Sequence, residues 1–263
     1  MEGKLVPVNV TGPTMTCLIL AAGRGSRLSI SGHPKPLIPL LGLPLIERVI
    51  LTASNAGLTH FYVVTGHQGE RVRHTLDGLS RTRNIRMTHI INDEWEKENG
   101  LSVYKAKDLL NQDFIILMAD HIFDESILKN VKDQTIAEDE VLLAVDYNIE
   151  NNTLVDLDDV TKVFIEQDRI VDIGKNIPRY NAFDTGIFLC SPAIFSAIEE
   201  SVRRGDTSLS GAIRVMAQEQ KARAFDIKDD YWIDVDDDKT FRKAEKLLLT
   251  TQKETPPIWY RDA

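Results

Sequence analysis

Apolar runs and helical patterns alternate along the first half of the chain. Three apolar runs and one weakly alternating segment predict strands. The first of them, CLILAA, is continuous and ends at a glycine, which is typical of a buried central strand. Between the runs, apolar residues recur at helical spacing, and Gly57 stands where a helix C-cap is expected. The predicted strands cover residues 17–22, 61–66, 85–92 and 114–120, and the predicted helices cover residues 44–57, 68–79 and 101–110.

This alternation predicts the fold class. Strands that alternate with helices build a mainly parallel sheet with helices on both faces. We therefore expect an α/β protein, a three-layer α/β/α sandwich with a mixed, mainly parallel central sheet. Sheets of this kind bind ligands at the carboxyl ends of their strands. Residues 23–27, residues 65–68 and Asp120 are expected at those ends.

The second half of the chain predicts strands joined by short turns, some of them antiparallel, followed by helices. Because no linker or internal repeat interrupts the pattern, we predict one domain over residues 15–250. It would lie between an N-terminal extension, residues 1–14, and a C-terminal tail or linker, residues 251–263. The strands are expected at residues 141–147, 160–175 and 185–191, and the helices at residues 192–204, at residues 209–220 and from about Lys239.

Composition narrows the class of protein. Of the 263 residues, 43% are hydrophobic and 27% are charged, as in ordinary globular proteins, and the net charge of −9 argues against a general nucleic-acid binder. Cys17 and Cys190 lie in or beside apolar runs and are expected to be buried free thiols. No apolar run approaches the roughly 20 residues of a membrane span. The N-terminus also lacks the apolar core of a secretory signal, so we expect a cytoplasmic protein with no membrane contact by this segment itself.

A glycine-rich loop, Gly23-Arg24-Gly25-Ser26-Arg27, follows the first predicted strand. Glycines allow positive φ angles and a close approach of the backbone to a ligand, and successive N–H groups can then bind an anion. No Gly-Lys-Ser/Thr follows, so the loop is not a P-loop, and the third glycine of the dinucleotide fingerprint is missing. The loop alone fits an ordinary turn equally well, and a dinucleotide oxidoreductase remains a distant alternative.

The segment Pro34-Lys35-Pro36 strengthens the case for a phosphate site, because the prolines restrict where Lys35 points. We expect Arg24, Arg27 and Lys35 to meet the phosphates of a nucleoside triphosphate. An arginine offers a fork of donors, and a lysine offers a point charge that can follow developing negative charge.

The stretches LAAGRGSRL, HPKPLIPLLG and PLIERVI resemble the opening motif of the nucleotidyltransferases that make nucleotide-diphospho sugars and alcohols. The likeness extends to about Leu249. It implies a Rossmann-like nucleotidyltransferase fold and an enzyme that couples a nucleoside triphosphate to a phosphate monoester with release of pyrophosphate. It makes Lys35 and Arg24 the catalytic residues. The implied nucleotide-binding residues, of which the last four also fit plain turns, are Leu20, Ala21, Ala22, Gly23, Arg24, Gly25, Ser26, Arg27, Lys35, Gly66, Asn99, Gly100 and Ser102.

Two polyanionic reactants repel each other, so the reaction calls for Mg²⁺, which one or two carboxylates usually hold. Asp120 closes the run FIILMAD at a strand end, and alternation sends Asp234 and Asp236 to one face of WIDVD. The resemblance implies that Asp120 and Asp236 bind the metal and that Asp234 is a neighbour. One of the next two residues, Asp237 or Asp238, is expected to cap the following helix.

The acceptor pocket is implied by the resemblance alone. Lys175 in IVDIGKNI aligns with a family lysine that meets the acceptor phosphate, and Asp184 and Thr185 in FDTGIFL align with residues that line the pocket. Asp184 equally fits a strand-entry turn. The sequence leaves three roles open for His121: a ligand, an acceptor-site residue or a hydrogen-bonded structural histidine.

The segments MADHIF, IGKNI, DTGIFL and WIDVDDDKTFRKAEK are most similar to inositol-1-phosphate cytidylyltransferases. The expected reaction is therefore CTP with 1L-myo-inositol-1-phosphate to CDP-inositol and pyrophosphate, a step of phospholipid biosynthesis. Such domains are often fused to a membrane-embedded CDP-alcohol phosphatidyltransferase, which implies a tether to the inner face of the membrane through a C-terminal domain. The sequence does not decide whether the protein forms a homodimer. Two alternative functions are kept. One is the same reaction with a sugar-1-phosphate or aminoalcohol-phosphate acceptor and CTP, UTP, GTP or dTTP, and the other is a non-catalytic nucleotide-binding regulator.

Overall fold

The computed structural model describes residues 15–25, 27–28, 32–83 and 85–251, and within them strands and helices alternate as expected. The strands are β1 Thr16–Ala21, β2 Pro39–Leu40, β3 Leu43–Pro44, β4 His60–Thr65, β5 Arg86–Ile91, β6 Phe114–Met118, β7 His121–Phe123, β8 Val141–Asp146, β9 Lys162–Glu166, β10 Arg169–Gly174, β11 Ala182–Cys190, β12 Ala222–Asp226 and β13 Trp232–Asp234. The helices are α1 Leu45–Asn55, α2 Gly69–Arg83, α3 Asn99–Tyr104, α4 Glu125–Lys132, α5 Ala193–Arg203, α6 Leu209–Gln218 and α7 Asp238–Thr251, with a 3₁₀ turn at Lys35–Leu37.

Nine of the described strands form one mixed sheet in the order β5-β4-β1-β6-β11-β8-β12-β10-β9. The pairings β5–β4, β4–β1, β1–β6 and β8–β12 are parallel, and β11 and β10 run against their neighbours. The predicted α/β class with a mixed, mainly parallel central sheet is therefore confirmed. Two short ribbons stand apart from this sheet, one made of β2 and β3 and the other of β7 and β13.

Apolar side chains on the two faces of the sheet build two cores, as the continuous apolar runs predict. One core packs the sheet against α1, α2 and α4, and the other packs it against α3, α5 and α6. A third, smaller cluster joins α7 to the β7–β13 ribbon. The three-layer arrangement leaves the carboxyl ends of β1, β4 and β6 together at one edge of the sheet.

The two cysteines are buried free thiols, as expected, and they lie in different cores. Cys17 on β1 and Cys190 on β11 have no exposed surface, and burial raises the pKa of both thiols. Among the helices that the structure describes, none combines the length and the apolar character needed to cross a membrane.

The helix predicted over residues 101–110 is wrong in its bounds. Helix α3 ends at Tyr104, and the next five residues, 105–109, form successive turns. The physical reason is a change in hydrogen bonding: the N–H groups of Ala106, Lys107 and Leu109 donate to carbonyls three residues back. The predicted extents of the N-terminal extension and the tail stay predictions, because residues 1–14 and 252–263 lie outside the described residues.

Candidate active site

The parallel pairing of β1 and β6 brings the glycine loop and Asp120 to one place. Leu20 lies beside Met118 in the register, and the N–H of Ala119 donates to the Leu20 carbonyl at 3.1 Å. A cavity of about 300 Å³ opens at this point. Its lining includes six of the expected nucleotide-binding residues and both expected metal ligands, namely Leu20, Ala21, Gly23, Gly25, Arg27, Lys35, Asp120 and Asp236.

Lys35 is the centre of the charged site. It lies between Pro34 and Pro36 and begins the 3₁₀ turn Lys35–Leu37, and its side chain is only 7% exposed. Its Nζ contacts the carboxylates of both Asp120 and Asp236. Burial by itself would lower the pKa of Lys35, but the surrounding carboxylates outweigh burial and raise the pKa. The ammonium therefore stays charged where the phosphates are expected.

The ribbon of β7 and β13 carries the second carboxylate of the site. Asp234 pairs with His121 in the register, and the N–H of Val235 donates to the Asp120 carbonyl at 3.1 Å, so Asp236 reaches Lys35. The N–H of Thr240 donates to Asp237 Oδ1 at 2.7 Å, which makes Asp237 the cap of α7.

The acidic residues fit a divalent cation. The Oδ1 atom of Asp234 is buried without a hydrogen-bond partner, which is costly unless a cation or another donor joins it. Oxygen atoms of Asp159, Asp234 and Asp236 lie within 4.8 Å of one another, and so do ligand atoms of Asp120, His121 and Asp234. Donor sets that consist mainly of carboxylate oxygens suit hard cations such as Mg²⁺ or Ca²⁺.

His121 belongs to this cluster. Its Nδ1 lies 3.0 Å from Asp120 Oδ1 and 3.7 Å from Asp234 Oδ1. Burial alone would lower the pKa of His121, but Asp234 and Asp120 outweigh it and raise the pKa to about 9. Burial, reinforced by Asp120 and Asp236, raises the pKa of Asp234 to about 7. His121 is therefore bound to the acidic cluster, whichever of its three expected roles it serves.

A chain of ion pairs connects this cluster to the expected acceptor lysine through Asp159, a residue that the sequence analysis missed. Asp159 Oδ1 lies 2.5 Å from Lys175 Nζ, and Asp159 Oδ2 lies 2.5 Å from an Arg27 nitrogen. Arg27 also contacts Asp236. Asp159 lies in the run LVDLDDV between β8 and β9, and nothing in that run distinguishes it from its acidic neighbours.

A second cavity, of about 260 Å³, lies on the acceptor side and shares Arg27, Asp120 and Asp236 with the first. Lys175 and Asp184 line it, together with His121, Gly186 and Trp232. Burial raises the pKa of Asp184 to about 6. The N–H of Gly186 donates to Asp184 Oδ1 at 2.8 Å. Asp184 therefore also stabilises the backbone of β11, which agrees with its alternative role in a strand-entry turn.

Several expected residues have other contacts in the structure. The Thr185 hydroxyl is buried and donates to the Ala144 carbonyl at 2.8 Å. Ser102 accepts a hydrogen bond from Asn92, and a β-carbon on Gly100 would lie 2.8 Å from the carbonyl carbon of Ser208. These three residues serve packing in the structure, and none of them is among the described residues that line the two cavities.

The remaining expected residues lie around the cavities or beside them. Asn99 lines the acceptor-side cavity and accepts a hydrogen bond from the N–H of Leu209 at 2.9 Å. Arg24 is exposed and has no ion-pair partner within the described part of the chain. Gly66 faces Trp95, and the carbonyl of the buried Ala22 accepts the N–H of His67 at 2.9 Å. Ser26 lies outside the described residues.

Replacing Gly25 with alanine is expected to displace Lys35 without touching any charge. Gly25 has φ +60°, and a β-carbon there would lie 2.8 Å from Lys35 Cγ. We expect Gly25→Ala to cost about 1–3 kcal/mol of unfolding free energy, because the backbone and the lysine stem must both shift. Urea denaturation and kcat measure the effect. Gly78→Ala, with nothing within 4 Å of the new β-carbon, should stabilise α2 slightly. Wild-type stability and kcat in Gly25→Ala would refute the close contact with Lys35.

Known proteins resemble this chain over most of its length. The sequence model of one protein family, the MobA-like NTP transferase domain, matches residues 17–224. Two curated relatives, both called bifunctional IPC transferase and DIPP synthase, come from Rubrobacter xylanophilus and Aquifex aeolicus. The first is 33% identical over 88% of this chain and 51% of its own length, and the second is 31% identical over 90% and 52%. The chain therefore spans about half the length of the curated relatives it matches.

Solved structures share the fold. The inositol-1-phosphate CTP transferase of T. maritima superposes with a TM-score of 0.81 at 24% identity, over 92% of this chain and 98% of its own. A UDP-glucose pyrophosphorylase complexed with UDP-glucose superposes with a TM-score of 0.73 at 19% identity, over 90% and 99%. At these identities the likeness concerns the fold, and the fold is that of nucleotidyltransferases.

Proposed function

Because the chain belongs to the MobA-like NTP transferase domain family, we propose that it is a cytidylyltransferase that converts CTP and 1L-myo-inositol-1-phosphate to CDP-inositol and pyrophosphate. The observation that carries the proposal is the convergence of Lys35 with Asp120 and Asp236 beside the glycine loop. The names of the curated relatives support the choice of inositol phosphate as acceptor. The family predicted from the stretches LAAGRGSRL, HPKPLIPLLG and PLIERVI is confirmed by the family match.

The reaction proceeds by direct displacement. A phosphate oxygen of the acceptor attacks the α-phosphorus of CTP, the bond from that phosphorus to the bridging oxygen breaks, and pyrophosphate leaves with the bond electrons. The attacking oxygen is already an anion, so no covalent enzyme intermediate is needed. Lys35 stabilises charge on the phosphates, while Arg24 and the glycine loop hold the leaving pyrophosphate.

Asp120 and Asp236 would hold Mg²⁺, with Asp234 and Asp159 close by. When bound, the ion neutralises phosphate charge and orients the phosphates. Because Asp120 and Asp236 also contact Lys35, the same two carboxylates would hold both the ion and the lysine, which would keep the Lys35 ammonium beside the phosphates.

The acceptor-side cavity suits a polyol phosphate. Lys175 would meet the phosphate, while the carboxylates of Asp184 and Asp159 accept hydrogen bonds from hydroxyl groups. A quaternary ammonium acceptor is usually held by several aromatic faces. Of Phe, Tyr and Trp, only Trp232 contributes a side chain to the described lining, which favours inositol over choline.

Pyrophosphate release tests the proposal. The purified chain is incubated with Mg²⁺ and each of CTP, UTP, GTP and dTTP, against inositol-1-phosphate, glucose-1-phosphate, phosphocholine and phosphoethanolamine. The highest kcat/KM is expected for CTP with inositol-1-phosphate. A higher value for another pair would replace the substrates but keep the chemistry. CTP binding without pyrophosphate release from any acceptor would favour the non-catalytic regulator.

Lys175→Ala is expected to raise the KM for inositol-1-phosphate by about tenfold to a hundredfold, because a charge-assisted hydrogen bond to the acceptor phosphate is lost. The KM for CTP should change by less than about twofold, since Lys175 does not line the cavity of the glycine loop. Steady-state kinetics with each substrate varied in turn measures both.

The matched control for this prediction is Lys129→Ala. Lys129 also pairs with a carboxylate, Glu125 at 2.6 Å, but it lies on α4 away from both cavities. It should leave both KM values unchanged. An unchanged acceptor KM in Lys175→Ala would remove this lysine from the acceptor site. The homodimer, the cytoplasmic location and the membrane tether stay predictions.

A further inference from the structure

Asp146, at the end of β8, is a buried carboxylate without a cation. Its residue surface is 3% exposed, and no lysine, arginine or histidine in the described chain forms an ion pair with it. A carboxylate in such a place is tolerated only where hydrogen bonds compensate its lost hydration. Three donors do so: Trp232 Nε1 at 2.9 Å, Asn152 Nδ2 at 2.6 Å and the N–H of Asn148 at 2.8 Å.

The first of these bonds leads to the metal side of the acceptor cavity. Trp232 begins β13, the strand that carries Asp234 and leads to Asp236. Its ring lies 6.2 Å from the ring of His121, inclined by 25°, and it lines the cavity. A shift of the Trp232 indole would therefore move both the cavity wall and the start of the carboxylate strand.

The other two bonds lead to the opposite wall. Asn148 and Asn152 belong to the connection of residues 147–161 between β8 and β9. Asn152 turns the chain further by accepting the N–H of Leu154 at 2.9 Å. The same connection then supplies Leu154 and Asp159 to the cavity lining. Asp159 in turn holds both Lys175 and Arg27.

We propose that Asp146 is a positioning residue for the acceptor. One carboxylate fixes the wall that carries Trp232 and the wall that carries Asp159 relative to each other, and so sets the width of the acceptor cavity. The inference rests on the proposed function for the identity of the acceptor. Asp146 itself does not line the cavity and touches no reacting atom.

The chemistry of the three partners makes the test specific. All of them are donors, so a carboxylate satisfies them and an amide does not. In Asp146→Asn the NH₂ group must face a donor in either orientation, although the size of the side chain is unchanged. We expect Asp146→Asn to raise the KM for inositol-1-phosphate by about tenfold, with the KM for CTP within about twofold of wild type.

Two further variants separate the two walls. Asn152→Ala removes the side-chain link from Asp146 to the connection and leaves the bond from the Asn148 N–H in place. Trp232→Phe removes the indole donor while keeping a ring. Each should raise the acceptor KM, and Asp146→Asn should add little to either, because coupled residues do not behave additively. Asp226→Asn is the matched control. Asp226 ends the neighbouring strand β12 and accepts the N–H of Lys228 at 2.7 Å away from the cavities, so both KM values should stay unchanged.

The Trp232 indole N–H resonance in a ¹H–¹⁵N NMR spectrum supplies a readout that needs no turnover. It should move upfield in Asp146→Asn, and it should also shift in Asn152→Ala, although Asn152 bonds to the carboxylate and not to the indole. If the wild-type protein shows no transferase activity, the proposed function is refuted. The response of the Trp232 indole resonance to Asn152→Ala can still be measured in that case, because it needs no turnover.

Two results would overturn the inference. One is an indole resonance that does not respond to Asn152→Ala. The other is a normal acceptor KM in Asn152→Ala and Asp146→Asn, with only a lower melting temperature or kcat, which would restrict Asp146 to holding the fold. If Asp146→Asn does not fold, Asn152→Ala decides, because Asn152 is only half-buried and its loss leaves the core intact.

Discussion

Lys35→Met is expected to lower kcat by about a hundredfold to a thousandfold. The Nζ atom of Lys35 is the cation that contacts both Asp120 and Asp236 at the edge of the nucleotide cavity. Methionine keeps an unbranched side chain beside Gly25 but supplies no charge to the phosphates. Single-turnover pyrophosphate release at saturating CTP measures the chemical step separately from binding.

The same substitution should make the protein more dependent on metal. Without the ammonium, the carboxylates of Asp120, Asp234 and Asp236 are left to repel one another. We therefore expect the melting temperature of Lys35→Met to rise more on addition of Mg²⁺ than that of the wild type. Differential scanning fluorimetry with and without Mg²⁺ measures the difference.

Lys132→Met is the matched control for both measurements. Lys132 ends α4, and its Nζ donates at 2.7 Å to the carbonyl of Ala56, which follows α1. Lys132 lines neither cavity, so its loss should affect stability alone. Near-wild-type turnover in Lys35→Met would exclude the lysine from the mechanism.

Asp120→Asn and Asp236→Asn are each expected to lower kcat by about a thousandfold at a fixed, physiological Mg²⁺ concentration. Each variant removes a negative charge from the oxygen cluster that fits a divalent cation. Each also removes the charge from one of the two carboxylates that contact the Lys35 ammonium. Because affinity for the ion falls, higher Mg²⁺ should restore part of the activity, and a Mg²⁺ titration of the initial rate measures this.

Asp124→Ala tests whether the loss is specific. Asp124 is also an aspartate next to β7, but it caps α4 by accepting the N–H of Ser126 at 2.9 Å. We expect this variant to lose about 1 kcal/mol of stability and to keep its turnover. Equal losses of turnover in Asp124→Ala and Asp120→Asn would mean that the metal assignment is wrong.

The parts of the site that lie at the ends of parallel strands could be predicted from the sequence. Strand pattern and glycine positions are local signals, and parallel neighbours bring their carboxyl ends to one edge. The meeting of the glycine loop with Asp120 follows from that rule, whereas Lys35 was placed at the phosphates by the Pro-Lys-Pro segment and by the resemblance. Asp236 was placed by resemblance, and both Asp234 and Asp236 face Lys35, as the predicted alternation requires.

The parts that depend on long connections could not be predicted. Asp159 reaches Lys175 and Arg27 only because residues 147–161 fold over the cavity, and no periodic pattern records that path. Asp146 fell inside the predicted strand at residues 141–147, and nothing in the sequence distinguished it from the strand residues around it. Gly100 and Ser102 fitted a base-binding segment, but the close packing of α3 on α6 accounts for the glycine equally well.

Because both native thiols are buried, a fluorescent dye can be attached selectively to a cysteine introduced near the site. Cys17 and Cys190 are sealed in opposite cores, and they are the only cysteines in the chain. A maleimide dye should therefore ignore the native protein and react with a single cysteine introduced at an exposed position such as Leu157, within the 147–161 connection. The emission of that dye would report movement of the connection as each substrate is added.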